Sequence, residues 1–230
     1  SRTRRPHPMR TQNIKSHILA LPEAADWPEL AGFLGDSEGQ LRLDWSLPIR
    51  ACQAVGGEDS QAIPGSAAIA CMQVSIILVD DLLDDDPRGH HLRVGNGPAA
   101  NLALAFQALS FRLIERAVDD LERRAAITAS LTWLALATAF GQQLDAQNLK
   151  DEENYWRLVR AKSTPFYASA LHVGALLGRA DFKQAEGLRD LGTLVGEIIQ
   201  IQDDVIDAFQ TPANPDWKQG RNNLPLLYAL

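Results

Sequence analysis

Cysteine occurs twice in this 230-residue sequence, at Cys52 and Cys71, both in apolar surroundings. Two such thiols cannot form the disulfide framework of a small secreted domain, and nothing near them has the spacing of a zinc site. A reducing, cytoplasmic location is therefore expected. Apolar–polar alternation of useful length is also missing, so no sheet is expected. There is no low-complexity tract, and no secretory signal pattern is visible. An excess of positive charge is lacking too: the net charge of -7 argues against nucleic acid as the main partner. What is present is a globular composition, 46% hydrophobic and 22% charged, in a length that fits one domain with a sizeable core.

Helical patterning runs through the chain. Short amphipathic helices are expected over 26–34 and 47–55, the second ended by Gly56-Gly57. Longer ones follow over 63–84, 98–120, 121–145, 151–177 and 181–209, and another begins at 223. Glycine and proline mark loops near 87–98 and 211–219. Residues 62–79 carry no charge and have about the length of a membrane span. They contain Pro64, Gly65, Gln73 and Ser75, however, and run into five acids, so a buried core helix is expected and a transmembrane segment is not. The basic, proline-containing start is read as a disordered tail over 1–15, with one domain over 16–230.

The chain is organised around Asp80-Asp81-Leu82-Leu83-Asp84, which follows that uncharged run. On a helix Asp80 and Asp84 share a face one turn apart, with Asp81 beside them. Like charges at that spacing repel, so something positive belongs there. Mg²⁺ is the natural candidate, since it takes carboxylate oxygens and shares them with phosphates. The plainer alternative is a solvated acidic helix end. Asp203-Asp204-Val205-Ile206-Asp207 repeats the pattern after a second apolar run, 198–202. Two such boxes facing each other would bring six carboxylates to one cavity. They would take two or three metal ions, and with them an anion such as a diphosphate.

With these motifs the sequence resembles the trans-isoprenyl diphosphate synthases, or polyprenyl synthetases, over roughly 48–230. The family's two aspartate-rich motifs match Asp80, Asp81, Asp84 and Asp203, Asp204, Asp207. Gly141-Gln142-Gln143-Leu144-Asp145 is similar to its GQxLD, and Lys162-Ser163-Thr164 stands where it has a Lys-Thr pair. Gln200 matches a glutamine before the second motif. The stretch 216–225, with Lys218 and Arg221, resembles DLxxGKxTLP. The resemblance implies an all-α, single-domain antiparallel bundle around a central cavity, here lacking the family's last helices, and usually a homodimer. It implies a transferase that ionises an allylic diphosphate with Mg²⁺ and condenses it with isopentenyl diphosphate. Lys162, Lys218 and Arg221 are candidate clamps for the departing diphosphate; for each, a solvated surface charge is the plainer alternative. Gln200, Arg88 and Gln73 are also placed at the diphosphates by the resemblance.

The departures from the family cluster. Most members carry Gly-Lys-Arg-x-Arg-Pro for isopentenyl diphosphate; here the stretch is Leu43-Asp44-Trp45-Ser46-Leu47-Pro48. Arg-Arg-Gly after the first motif has become Pro87-Arg88-Gly89. Each charge-assisted contact contributes about 1.5–3 kcal/mol, so losing two or three should weaken that half-site severely. A prenyltransferase acting on another acceptor, such as a peptide tryptophan, is the first alternative. A non-catalytic subunit of a heteromeric synthase is the second. Below the first box, Ser75 and Ile76 lie one helical turn down and Met72 and Cys71 a further turn. No aromatic blocks the first level, which suggests a chain of about four isoprene units; ordinary core packing is the alternative.

Overall fold

The computed structural model describes residues 8–36, 43–148, 151–209 and 223–229. Its elements are α1 (Pro8–Leu19), α2 (Pro22–Ala25), α3 (Pro28–Asp36), a 3₁₀ turn (Leu43–Ser46) and α4 (Leu47–Ala54). Next come α5 (Asp59–Asp84), α6 (His91–Val94), α7 (Asn96–Ala117) and α8 (Leu121–Asp145). The last four are α9 (Glu152–Lys162), α10 (Thr164–Leu177), α11 (Phe182–Phe209) and α12 (Leu224–Ala229). Among the described residues there is no strand, and the fold is all-α as expected.

Helix α5 is the centre. Its uncharged stretch is buried against α1, α4, α7 and α10. It starts earlier than the periodicity suggests, because Glu58 caps it: the Glu58 side chain accepts from the backbone of Gln61, and Gln61 Oε1 accepts from Glu58 N at 2.7 Å. Pro64 is carried within the helix. The helix stops at Asp85, whose φ of 50° is left-handed. By length and composition both α5 and α8 could cross a membrane, but 72% of the apolar window of α5 is buried inside the protein itself.

Helix α10 is the second buried rod, packed on α4, α5, α8 and α11. The pattern over 151–177 suggests one helix; the structure has two, meeting at Ser163. Pro165 has no N–H to return to the carbonyl of Ala161, so the ladder breaks there. A similar break separates α2 from α3, which begins at Pro28. Within the span 1–15 read as a tail, the described residues begin with α1 at Pro8. Ile14 and Ile18, one turn apart, are buried in the core, and α1 packs on α5.

Candidate active site

The two acidic boxes end α5 and α11, and these helices share no extensive contact; each packs against α10 instead. What joins them is the α9–α10 junction. Lys162 Nζ lies 2.6 Å from Asp145 Oδ2 at the end of α8 and 3.4 Å from Asp80 Oδ1 in the last turn of α5. The next residue, Ser163, donates its hydroxyl hydrogen to Gln200 Oε1, one turn before Asp204 on α11. Consecutive residues thus reach both boxes, so the boxes lie at one end of the molecule. The N-terminus of α10, with its positive partial charge, lies at the same junction.

Two glycines permit this closeness. A Cβ on Gly141, the first residue of the Gly-Gln-Gln-Leu-Asp motif, would come within 2.7 Å of the backbone of Lys162. One on Gly196 would come within 2.7 Å of Thr164 Cα. Without side chains there, α8 and α11 press directly on the junction.

The electrostatics follow from burial. Burial raises the Asp80 carboxyl above its usual range, opposed by Lys162 and reinforced by Asp84 and Asp145. Burial works against the Lys162 charge, but Asp80 and Asp145 outweigh it and its pKa ends raised. The positive charge that the first box calls for is therefore supplied by the chain itself. Asp81 faces the loop after the helix. Its carboxyl is raised by burial and by Asp86, against hydrogen bonding from the His90 backbone.

In the second box the three acids differ. Asp203 is exposed, Asp207 is partly buried, and Asp204 is 5% exposed. Asp204 Oδ1 accepts from Gln200 Nε2 at 2.8 Å; Oδ2 accepts from the Tyr155 hydroxyl at 2.7 Å and from Leu224 N at 2.9 Å. Asn223 Nδ2 donates to the Asp204 carbonyl at 3.1 Å. Tyr155, Ser163 and Asn223 were not anticipated as site residues. Tyr155 sits at i+4 from its cap Asp151 on a strongly amphipathic helix, which marks it as buried but not as a partner.

The other expected positions have the following surroundings. Arg88 grips Asp86 through Nε at 3.1 Å and Nη2 at 2.9 Å, with its side chain 88% exposed. Gln73 Oε1 accepts from the Trp45 indole N–H at 2.6 Å. Gln200 bridges Ser163 and Asp204. Cys71 and Met72 are core residues with no exposed surface and Ser75 is buried; of the four positions beneath the first box, only Ile76 is partly exposed. Lys218 and Arg221 lie outside the described residues.

The donor set suits a hard cation completed by another ligand. Asp80 Oδ1 has no accessible surface and no hydrogen-bond partner, only the longer ion pair with Lys162. Among the described residues no three acidic, histidine or cysteine side chains converge to hold an ion alone. Mg²⁺ is commonly held by one or two carboxylates, with the remaining positions filled by water and phosphate.

The family model for polyprenyl synthetase matches residues 46–230. The chain is 28% identical over 212 residues to the geranylgeranyl diphosphate synthase of Methanosarcina mazei, covering 85% of this chain and 65% of that protein. It is 28% identical over 190 residues to geranylgeranyl pyrophosphate synthase 6 of Arabidopsis thaliana (74% and 56%). It is 23% identical over 219 residues to the octaprenyl diphosphate synthase of Escherichia coli (86% and 65%). The chain thus spans 56–65% of the length of these relatives. In fold it is similar to the geranylgeranyl pyrophosphate synthetase of the archaeon Geoglobus acetivorans, with a TM-score of 0.84 at 20% identity, covering 96% of this chain and 74% of that one. It is also similar to a polyprenyl synthase from Caulobacter crescentus solved with calcium and isoprenyl diphosphate, with a TM-score of 0.79 at 23% identity (96% and 70%).

Proposed function

The chain belongs to the polyprenyl synthetase family, and on that premise we propose that it is a prenyltransferase that ionises an allylic diphosphate and condenses it head to tail with isopentenyl diphosphate, giving a product of about four isoprene units. The observation that carries this reading is the α9–α10 junction, where Lys162 reaches the first acidic box and Ser163 is tied to the second. Two or three Mg²⁺ ions, when bound, would supply Lewis-acid stabilisation of the leaving diphosphate. Asp80, Asp84, Asp203 and Asp207 would hold those ions. Lys162, kept protonated by Asp80 and Asp145, presents an ammonium to the departing anion. Apolar side chains of α5 and α10 would have to keep water from the allylic cation. The test is a mass-spectrometric assay with farnesyl diphosphate, Mg²⁺ and isopentenyl diphosphate. Elongation supports the proposal; no turnover, as expected of a non-catalytic subunit, overturns it.

A second reading keeps the donor and changes the acceptor, for example to a peptide tryptophan. It is favoured by Asp44 and by Trp45, whose indole is bonded to Gln73 where cations were expected. In the same assay, diphosphate release without elongation would select it.

The proposed assembly is a homodimer through α7 and α8. Leu104, Leu121, Leu136 and Phe140 lie exposed there, beside an apolar groove of about 1310 Å³ between these helices and Trp27. The proposed location is cytoplasmic, consistent with the free, buried Cys52 and Cys71.

A further inference from the structure

The second acidic box does not hold three equivalent carboxylates. Asp204 is buried, and three donors from three different elements converge on its two oxygens: Tyr155 from α9, Gln200 from α11 and the backbone of Leu224 at the start of α12. Its own carbonyl receives Asn223 Nδ2. Gln200 continues the chain to Ser163, beside Lys162. Turning this carboxylate toward an ion would strand a phenol, an amide and a backbone N–H in a buried site, each costly to leave unmade. Asp203 and Asp207 have no such burden of burial; they share a helical face one turn apart.

We propose that Asp204 is a positioning residue and not a metal ligand: its carboxylate locks α9, α11 and α12 together and so fixes where Asp203 and Asp207 stand relative to Lys162. This rests on the proposed prenyl-transfer site for its consequence, though not for its geometry. The tie has an internal check. An amide at position 204 keeps an acceptor for Tyr155 and Leu224, and Gln200 can turn its own amide to meet it. Asp204→Asn therefore retains most of the lock, whereas Asp204→Ala loses it. A metal ligand behaves otherwise, because either change removes its charge.

The experiment compares Asp204→Asn, Asp204→Ala, Tyr155→Phe, Asp203→Asn and Asp207→Asn. It measures the Mg²⁺ concentration that half-saturates binding of a non-cleavable allylic thiolodiphosphate, together with kcat. Asp203→Asn and Asp207→Asn should raise that concentration about tenfold or more, while Asp204→Asn leaves it within about twofold. Asp204→Ala should lower kcat about tenfold or more, Tyr155→Phe should share part of that loss, and the double variant should be no worse than Asp204→Ala alone. A Mg²⁺ shift in Asp204→Asn matching that in Asp203→Asn would overturn the proposal. If the unaltered protein neither binds the analogue nor turns over, the prenyl-transfer reading fails separately. Amide exchange then decides the lock: Leu224 N should exchange faster in Asp204→Ala and stay slow in Asp204→Asn, and equal exchange in all forms overturns it.

Discussion

Lys162 Nζ stands 3.4 Å from Asp80 Oδ1, so the last residue of α9 neutralises the acid that begins the first box at the end of α5. The same ammonium is 2.6 Å from Asp145 Oδ2, and all three groups are mostly shielded from water. The repulsion expected of an acidic helix end is thus relieved within the chain. A diphosphate bound as proposed would meet a cation already charged and already placed.

Removing that cation leaves two carboxylates facing each other. Lys162→Ala should lose about 1–3 kcal/mol of stability in metal-free protein, read by chemical denaturation. Adding Asp145→Asn should recover part of the loss, because the pair is coupled. Asp80→Ala and Asp203→Ala should abolish turnover with an unchanged far-ultraviolet spectrum, as should EDTA in excess. Full activity under any of these conditions would remove the metal-dependent mechanism.

Stability should fall on acidification through a buried histidine. His172 on α10 lies 4% exposed, with Nε2 3.3 Å from Glu186 Oε1. Its pKa is lowered from 6.5, first by burial and then by Arg189, against Glu186. The unfolded chain therefore binds the proton more readily than the folded one. This contribution to stability is complete above the unfolded value and is lost as the pH falls below it toward the folded value. His17 is shifted in the same direction by burial. Urea midpoints between pH 7.5 and pH 5 should fall, and His172→Gln should flatten the dependence without removing it; an unchanged slope would contradict this.

The missing Lys-Arg-x-Arg motif at 43–48 predicts a high KM for isopentenyl diphosphate. Charge cannot be restored at Trp45, however, as the sequence alone would suggest. Its side chain is 6% exposed and donates to Gln73, and an arginine there would be a buried, unpaired charge. Asp44, only partly buried, is the usable position. Asp44→Lys should lower that KM several-fold, and Trp45→Phe should cost about 1 kcal/mol of stability from the lost hydrogen bond. A micromolar KM in the unaltered protein would refute the premise.

Product length is best probed at Ile76. Ser75, Met72 and Cys71 are packed in the core, so enlarging Ser75 costs about 1–3 kcal/mol in overpacking before any effect on products. Ile76 retains accessible surface one turn below Asp80. Ile76→Phe should shorten the products sized by mass spectrometry. An unchanged distribution from a folded, active variant would place the growing chain elsewhere.

What the sequence determined by itself is what depends on short range. The uncharged residues 62–79 required a buried helix, and α5 is one. The two boxes follow apolar helical runs, and both end their helices as read. Even the α9–α10 break was written locally in Pro165, although the apolar period across it suggested one helix. Tertiary structure alone decided the partners. Three aspartates in one box look alike in sequence, yet only Asp204 meets Tyr155 and Leu224, because α9 and the start of α12 fold against that side of α11. Lys162 reads in sequence as a candidate clamp without a named partner; Gly141 lets α8 press against its backbone and bring Asp145 to its ammonium. Helical periodicity is a property of neighbours in the chain. Which carboxylate is buried and locked is set by contacts between residues dozens of positions apart, and those follow only from how the helices pack.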